Sequence, residues 1–248
     1  MKFLRALGPD WPQSDGVRAA FFSRIGGHSA APFDSFNTAS HVGDSDRDVT
    51  RNRDLLLEEL PENLSLQWLN QVHGTTAHRL RNVMAPLQGD ALVTDQKALA
   101  CCVLTADCLP VFCASDQGDE VGLAHAGWRG LAAGVLEQTL ALMHTPPHRL
   151  RVWLGPAIGP CHFEVGEEVR QAFHQLDAGP ATADCFRSLP EPGQYLADLY
   201  RLARQRLQGL GVEEISGGNH CTFCDRKRFY SYRRDGSTGR NLSLIYCS

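Results

Sequence analysis

The chain has no long apolar run. None of its 248 residues belongs to a stretch approaching the ~18 consecutive apolar residues of a transmembrane helix. The apolar part of residues 1–10 is also too short for the core of a secretory signal peptide. These absences exclude a membrane-spanning segment, so the expected location is the cytoplasm.

An excess of positive charge is missing as well. The chain holds 24 Lys and Arg against 28 Asp and Glu, a formal net charge of −4, which gives no general attraction to nucleic acid or anionic lipid. Linkers, repeats and low-complexity tracts are absent, and 43% of the residues are hydrophobic, as in an ordinary globule. We therefore expect one domain over residues 1–248, a monomer, and a small-molecule partner.

The chain is rich in cysteine but lacks the repeated cysteine spacings of a disulfide-rich protein. The nine cysteines are odd in number and their spacings do not repeat, which is typical of reduced thiols rather than a disulfide framework. Cys221 and Cys224 form a CxxC that could be a redox pair or half of a zinc ribbon, yet no second CxxC completes four ligands. None of the ten histidines forms the His-x-His pairs that multicopper oxidases commonly use, which argues against a trinuclear copper cluster.

Apolar patterns divide the chain into alternating strands and helices. Alternating or continuous apolar runs predict strands at 17–22, 64–70, 91–95, 98–105, 111–114, 121–124 and 149–155. Caps and apolar stripes predict helices at 46–60, after Gly130, at 167–176 and at 196–210. Because strands joined by short turns cannot all be parallel, we predict an α/β (α+β) fold with layered, mixed sheets.

Three potential metal ligands follow apolar segments. His73, Cys108 and His125 each stand where a strand end can project a side chain into a pocket. Taken singly, each residue is more often a buried core side chain. Together, two histidines and one cysteine suit zinc, with copper as the alternative, and leave a fourth position open as in catalytic sites. The set predicts a metal centre that also carries the chemistry.

Basic and aromatic residues offer a second group of candidates. Arg24 precedes Gly26 and Gly27 in a bent loop that could hold an anion, although a plain turn with a solvated arginine explains it equally. Residues 219–241 hold six basic and two acidic side chains interleaved with aromatic rings. Such a segment suits a flat phosphorylated or ribosylated molecule or a nucleic acid, and the negative net charge favours the small molecule.

Seven blocks in this chain resemble one known family. They are residues 22–27, 41–44, 71–74, 105–111, 125–130, 155–166 and 229–240, and they cover nearly the whole chain. The family is variously called multicopper polyphenol oxidoreductase, laccase-domain protein, purine nucleoside phosphorylase and peptidoglycan-editing factor. The resemblance implies a four-layer α/β/β/α sandwich, zinc on His73, Cys108 and His125, phosphorolysis of purine nucleosides, and adenosine deamination as a second activity.

The resemblance leaves three activities to weigh. As a phosphorylase, the protein would convert adenosine, inosine or methylthioadenosine and phosphate into free base and ribose 1-phosphate. Arg24 or Arg129 would bind phosphate, an aromatic ring of the C-terminal segment such as Tyr230 would contact the base, and Arg233 would bind substrate or phosphate. As an amide hydrolase acting on a UDP-muramoyl-amino acid, it would use metal-activated water or a Cys108–His pair. A copper-dependent polyphenol oxidase is the third reading. Thr105 and Asp107 are expected to support the site.

Overall fold

Two mixed sheets form the centre of the computed structural model, which describes residues 4–11, 16–175 and 180–248. With strands numbered in chain order, the five-stranded sheet runs β1 (Ala6–Leu7), β2 (Val17–Phe22), β16 (Asn241–Cys247), β8 (Leu99–Thr105), β3 (Ser65–Gln67). The six-stranded sheet runs β15 (Glu214–Gly217), β11 (Leu150–Leu154), β9 (Leu109–Ser115), β10 (Val121–Ala126), β7 (Ala91–Thr94), β5 (Ala77–Leu80). Two small sheets contain β12 (Glu164–Gly166), β14 (Gln194–Ala197) and β13 (Phe186–Ser188), and β4 (Leu69–Asn70) and β6 (Leu87–Gln88).

The helices lie mostly on the outer faces of the two large sheets. They are α1 (Asp46–Glu59), α2 (Trp128–Ala133), α3 (Val135–Leu142), α4 (Glu167–His174), α5 (Pro180–Ala183), α6 (Leu199–Gly209) and α7 (Tyr232–Asp235), with a 3-10 turn at Pro147–Arg149. Within the described parts of the chain, no helix combines the length and the apolar character needed to cross a membrane.

Alternating side chains divide the apolar core into three layers. On β8, Cys101 and Val103 face the six-stranded sheet, whereas Ala100, Cys102 and Leu104 face the side covered by α1. On β9, Phe112 packs between the sheets and Val111 packs toward the helices α2, α3, α4 and α6. Successive residues of a strand point to opposite faces, so three cores separate four layers. The predicted α/β fold with mixed sheets, and the implied α/β/β/α order, are confirmed.

Three predicted elements differ from the observed ones, and one predicted boundary lies outside the described residues. The predicted helix at 196–210 begins only at Leu199, because residues 194–197 form β14 and Asp198 caps the helix by accepting from Arg201 N. The stripe after Gly130 forms two helices, since Gly134 adopts a φ of 103° between them. The predicted strand at 64–70 divides into β3 and β4. Leu176, the predicted end of the helix from Glu167, lies outside the described residues.

One buried amide on α1 holds the loop that follows β2. Asn52 Nδ2 donates to Ser29 Oγ at 2.9 Å, to Ser35 O at 3.1 Å and to Asn37 O at 2.7 Å. Its Oδ1 accepts from His28 N at 2.7 Å. The side chain is fully buried, so water cannot readily replace these partners. The interactions therefore fix residues 28–37 on the outer face of the five-stranded sheet.

Replacing this amide should destabilise the protein. We expect Asn52→Ala to lower the free energy of unfolding by about 3 kcal/mol, because several buried polar groups lose their partner at once. Urea denaturation measures the loss. The matched control, Asn63→Ala, changes an exposed asparagine and should shift stability by less than about 0.5 kcal/mol. Equal stability of the two variants would show that the hydrogen bonds of Asn52 to residues 28–37 do not stabilise the fold.

Candidate metal centre and its cavity

The three predicted ligands come together at one end of the sheets. Cys108 lies in the turn between β8 and β9, His125 lies on β10 opposite Pro110, and His73 lies in the loop between β4 and β5. Their ligand atoms all lie within 4.8 Å of one another, and the two imidazole centroids are 4.7 Å apart at an interplanar angle of 74°. The pairing of β9 with β10 thus brings distant sequence segments to a single centre.

A carboxylate that the sequence analysis did not identify organises this centre. Asp90, just before β7, is fully buried and accepts from His125 Nδ1 at 2.8 Å, from His73 N at 2.9 Å and from Gly74 N at 2.7 Å. Its own backbone oxygen accepts from His125 N at 2.7 Å. Because Nδ1 donates to the carboxylate, Nε2 of His125 keeps its lone pair for a metal ion.

The same contacts set the protonation of the centre without metal. Burial alone would raise the pKa of the Cys108 thiol, but the charges and hydrogen bonds of His125 and His73 lower it to about 6. Burial opposes protonation of His125, yet Cys108 and Asp90 raise its pKa to about 9. Burial also opposes ionisation of Asp90, but His125, Gly74 and His73 hold its pKa below the ordinary value. At neutral pH and without metal, Cys108 is therefore a thiolate beside the imidazolium form of His125.

The backbone beside the ligands adopts unusual conformations. His73 has a φ of 58° and Asp107 a φ of 92°, left-handed values that are uncommon for residues other than glycine. The Asp90 carboxylate fixes the conformation of His73 by accepting hydrogen bonds from the N–H groups of His73 and Gly74. The Asp107 carboxylate accepts from Thr222 Oγ1 at 2.6 Å and from Arg233 N at 2.7 Å. Asp107 therefore fixes the Cys108 turn rather than contacting a ligand residue.

Thr105 and Gly127 complete the immediate surroundings. The Thr105 hydroxyl is buried and has no hydrogen-bond partner among the described residues, while its backbone oxygen accepts from Asn241 Nδ2 at 3.2 Å. A Cβ atom at Gly127 would lie 3.0 Å from Cys108 Sγ and 3.1 Å from His73 Cδ2. Glycine at 127 is thus what lets the chain between β10 and α2 pass close to Cys108 and His73.

The centre opens into a cavity large enough for a nucleoside. Its volume is about 610 Å³, within the range usual for small-molecule sites. Besides the three ligands, the cavity is lined by Ser40, His41, Leu69, Asn70, Gln71, Leu104, Thr105, Ala106, Tyr232 and Arg240. Two hydrogen bonds to the backbone of Leu104 hold Gln71 in place. Gln71 Nε2 donates to Leu104 O at 2.8 Å, and Leu104 N donates to Gln71 Oε1 at 2.8 Å.

Two of the predicted substrate residues lie away from this lining and contact each other. Arg24 Nε donates to Asp34 O at 2.6 Å and Nη2 to Asp34 Oδ1 at 2.9 Å. The guanidinium lies 4.7 Å from the centroid of the Tyr230 ring. Tyr230 is fully buried and donates to Phe33 O at 2.5 Å. This pair anchors the loop after β2, beside a different, open pocket that Arg24 lines with Arg226 and Lys227.

The other two predicted substrate residues are exposed and also stand outside the described lining. Arg129 stacks over its neighbour Trp128 at 4.4 Å. Arg233 donates from Nη1 to Glu164 O at 2.8 Å and lies 5.6 Å from the Phe163 ring. The cavity instead receives Tyr232 and Arg240 from the same basic segment, and His41 from the block at 41–44. The basic and aromatic composition of residues 219–241 pointed to the segment that holds Tyr232 and Arg240, whereas membership of the block at 41–44 was the only sequence signal for His41.

The fold and the centre define a layered α/β protein with an open two-histidine, one-cysteine site at the strand ends. Residues 18–248 match the family described as multi-copper polyphenol oxidoreductase laccase. The chain belongs to this family, and the resemblance seen in the sequence is confirmed.

Relatives and solved structures agree with this assignment. A Pseudomonas aeruginosa protein named purine nucleoside phosphorylase is 49% identical, over 97% of both chains. The Escherichia coli K12 protein named purine nucleoside phosphorylase YfiH is 46% identical, over 98% of both chains. The crystal structure of Neisseria meningitidis protein NMB0706 superposes with a TM-score of 0.91 at 41% identity and covers all of both chains.

The electrostatics of the centre predict the reactivity of Cys108. In chelator-treated protein, we expect iodoacetamide labelling of Cys108 to rise through pH 6 and to level off by about pH 7, because the thiolate forms above its lowered pKa. His125→Ala should move this rise toward the ordinary thiol value of about 8.5. Peptide mass spectrometry follows each cysteine separately.

Cys113 provides the internal control in the same samples. It is fully buried, and burial raises its pKa to about 12, so its labelling should stay slow throughout. A Cys108 profile centred near pH 8.5 in the wild-type protein would contradict the described pairing with His125.

Proposed function

We propose that this protein is a zinc-dependent purine nucleoside phosphorylase that acts on adenosine, inosine or methylthioadenosine. The reaction replaces the bond between C1′ and the base by a bond between C1′ and a phosphate oxygen, releasing free base and ribose 1-phosphate. The observation that carries the proposal is one cavity combining the three-ligand centre with an arginine and an exposed tyrosine. The names of close relatives support the choice of reaction.

Zinc fits the residues at the centre. The donor set is two imidazoles and one thiol of lowered pKa, a combination that zinc accepts readily, with an open fourth position. The Asp90 carboxylate holds His125 in the tautomer that a metal ligand needs. When bound, zinc would supply positive charge that stabilises negative charge developing on the reactants. Copper could occupy the same ligands when it is offered.

Arg240 is the best-placed residue for phosphate. Its Nη1 donates to Thr238 O at 2.8 Å and to Gly239 O at 3.0 Å, which holds the guanidinium at the cavity wall. An arginine offers five N–H donors in a rigid fork, so its other donors would bind phosphate oxygens. His41 shares the cavity, and burial and the nearby Arg240 and Arg53 lower its pKa. A bound phosphate would oppose these charges and favour protonated His41.

Tyr232 is the proposed contact for the purine. Its side chain is 61% exposed although it lines the cavity, and the Arg240 guanidinium lies 5.9 Å from its ring centroid. An exposed ring of this kind offers a flat apolar surface for stacking. Nucleoside and phosphate would then lie on either side of the Tyr232–Arg240 contact, with the metal ligands at the base of the cavity.

Adenosine deamination, the second activity that the resemblance implies, fits this cavity less well than phosphorolysis. Zinc deaminases use a carboxylate that does not bind the metal as their general acid and base. The residues described as lining the cavity include no Asp or Glu, and Asp90 is committed to His125 and the His73 loop. Phosphorolysis has no such requirement in this cavity, so we propose it as the main activity.

An amide hydrolase remains the second candidate because of one specific arrangement. Cys108, His125 and Asp90 follow one another as nucleophile, base and orienting carboxylate, the order that activates cysteine in acyl transfer. A UDP-linked muramoyl-amino acid would be the substrate in that case. The two candidates make opposite demands on Cys108, since a metal ligand is shielded and a nucleophile is not.

Metal analysis tests the centre. We expect His73→Ala and His125→Ala each to lose about one zinc per chain relative to wild type, while the exposed His148→Ala control retains it. Elemental analysis of protein purified without added copper gives the ratio. Zinc should also protect Cys108 from iodoacetamide. Rapid labelling of Cys108 in zinc-loaded, active enzyme, or an acyl adduct on it, would favour the amide hydrolase.

Product analysis tests the reaction and the phosphate site. Adenosine or inosine should yield base and ribose 1-phosphate only when phosphate is present. Arg240→Gln should raise the KM for phosphate by about 10-fold or more, and the KM for nucleoside by less, because a charge-assisted hydrogen bond contributes about 1.5–3 kcal/mol.

The other arginines serve as comparisons in the same assay. Arg129→Gln should leave both constants near wild type. A selective rise in the phosphate KM of Arg24→Ala or Arg129→Gln, with none in Arg240→Gln, would move the anion site to that residue. Base release without phosphate, with free ribose as the product, would make the enzyme a hydrolase.

A further inference from the structure

A second cluster of cysteine and histidine lies apart from the cavity. Cys161 and His162 belong to the turn after β11, and Cys221 and Cys224 belong to the segment after β15. Their four ligand atoms all lie within 4.8 Å of one another. Cys161 Sγ is 3.6 Å from Cys221 Sγ and 3.5 Å from Cys224 Sγ, and His162 Nδ1 is 3.2 Å from Cys161 Sγ and 3.3 Å from Cys224 Sγ.

These distances match the edges of a small tetrahedron. Zinc binds sulfur at about 2.3 Å and imidazole nitrogen at about 2.0–2.1 Å. Tetrahedral angles then separate two sulfurs by about 3.8 Å and a sulfur from a nitrogen by about 3.6 Å. A disulfide would engage only two of the three sulfurs, at about 2.05 Å, and would leave the third thiol and the imidazole without a role.

The neighbouring residues hold the four groups in this arrangement. His162 stacks on Phe223 with centroids 4.0 Å apart and an interplanar angle of 17°, which orients Nδ1 toward the sulfurs. Gly159 N donates to Cys221 Sγ at 3.2 Å, a bond that favours the thiolate form. A Cβ at Gly159 would lie 3.1 Å from Cys221 Cβ, so glycine permits the approach of the two segments.

We propose that Cys161, His162, Cys221 and Cys224 bind a second zinc ion in a closed, structural site. All four ligands come from the protein, which leaves no open position for a substrate and distinguishes this site from the three-ligand centre. The CxxC supplies two ligands, and the adjacent Cys161 and His162 supply the other two in place of a second CxxC.

The place of this site in the fold explains its use. Between the two cysteines, Thr222 N donates to Ala157 O at 2.9 Å and Thr222 Oγ1 donates to Asp107 Oδ1 at 2.6 Å. Ile158 N donates to Asp107 O at 2.9 Å. A zinc ion would therefore fasten the two segments that grip the Cys108 turn. The site does not depend on which reaction the cavity performs.

Zinc stoichiometry of the full-length protein tests the site. Wild type is expected to hold about two zinc ions per chain. Cys161→Ser and Cys224→Ser should each hold about one, and Cys224→Ser combined with His125→Ala close to none. The control Cys185→Ala, a buried cysteine outside both clusters, should keep two. Unchanged zinc in both Cys161→Ser and Cys224→Ser would overturn the proposal, whatever the activity assays give.

Two further measurements do not rely on counting zinc, and the second uses the wild-type protein alone. Wild-type protein reconstituted with cobalt(II) should show the intense thiolate-to-cobalt charge-transfer absorption of a three-sulfur tetrahedral site, retained in His125→Ala. Absence of that absorption in His125→Ala would overturn the proposal. Non-reducing peptide mapping should find the three cysteines as thiols in the zinc-loaded protein, and a disulfide between any two of them would replace the metal site by a redox pair.

Discussion

The buried Asp90 carboxylate is the constraint on which the centre depends. Removing a carboxylate from water is costly unless its oxygens are hydrogen-bonded, and Asp90 is fully buried. Its partners are the N–H groups of His73 and Gly74 and the Nδ1–H of His125. The interactions that offset the cost of burial are thus the same ones that orient two of the three candidate ligands. At Asp90, the hydrogen bonds that stabilise the fold also orient His73 and His125.

Layering of the two sheets explains why the third ligand arrives at the same point. β8 belongs to the five-stranded sheet and β9 to the six-stranded sheet, so the Cys108 turn crosses from one sheet to the other. This crossing needs the left-handed Asp107, and the carboxylate of Asp107 is gripped by Thr222 and by the start of α7. The C-terminal basic segment therefore supports the turn from outside the cavity while sending Tyr232 and Arg240 into it.

The sequence predicted what depends on local pattern and missed what depends on packing. His73, Cys108 and His125 could be selected because each follows an apolar segment and lies near a glycine or, for Cys108, a proline. Asp90 could not, because an acid after Gly89 has the pattern of an ordinary turn and its partners lie on two other elements. Arg24 and Arg240 stand in equally glycine-rich surroundings, and only the packing of Tyr230 and Asp34 against Arg24 distinguishes them. Cys161 and His162 meet the CxxC because the segment after β11 pairs with the segment after β15, as in the parallel bridge between Ala157 and Cys221, and this pairing leaves no local sequence pattern.

The Cys108, His125 and Asp90 arrangement can serve two chemistries, and the metal determines which one applies. Without metal, a thiolate beside an imidazolium is a nucleophile of the kind used in acyl transfer. With metal bound, the sulfur and Nε2 lone pairs would be committed, and the nucleophile would have to come from elsewhere, such as the phosphate that we propose binds at Arg240. His73 decides between these uses, because a cysteine nucleophile needs one histidine, whereas a metal ion needs a third ligand. Asp90 accepts from the backbone N–H of His73 and holds that residue at a strained φ. A second imidazole fixed beside Cys108 would serve as a ligand in a metal site, whereas a cysteine nucleophile would have no use for it.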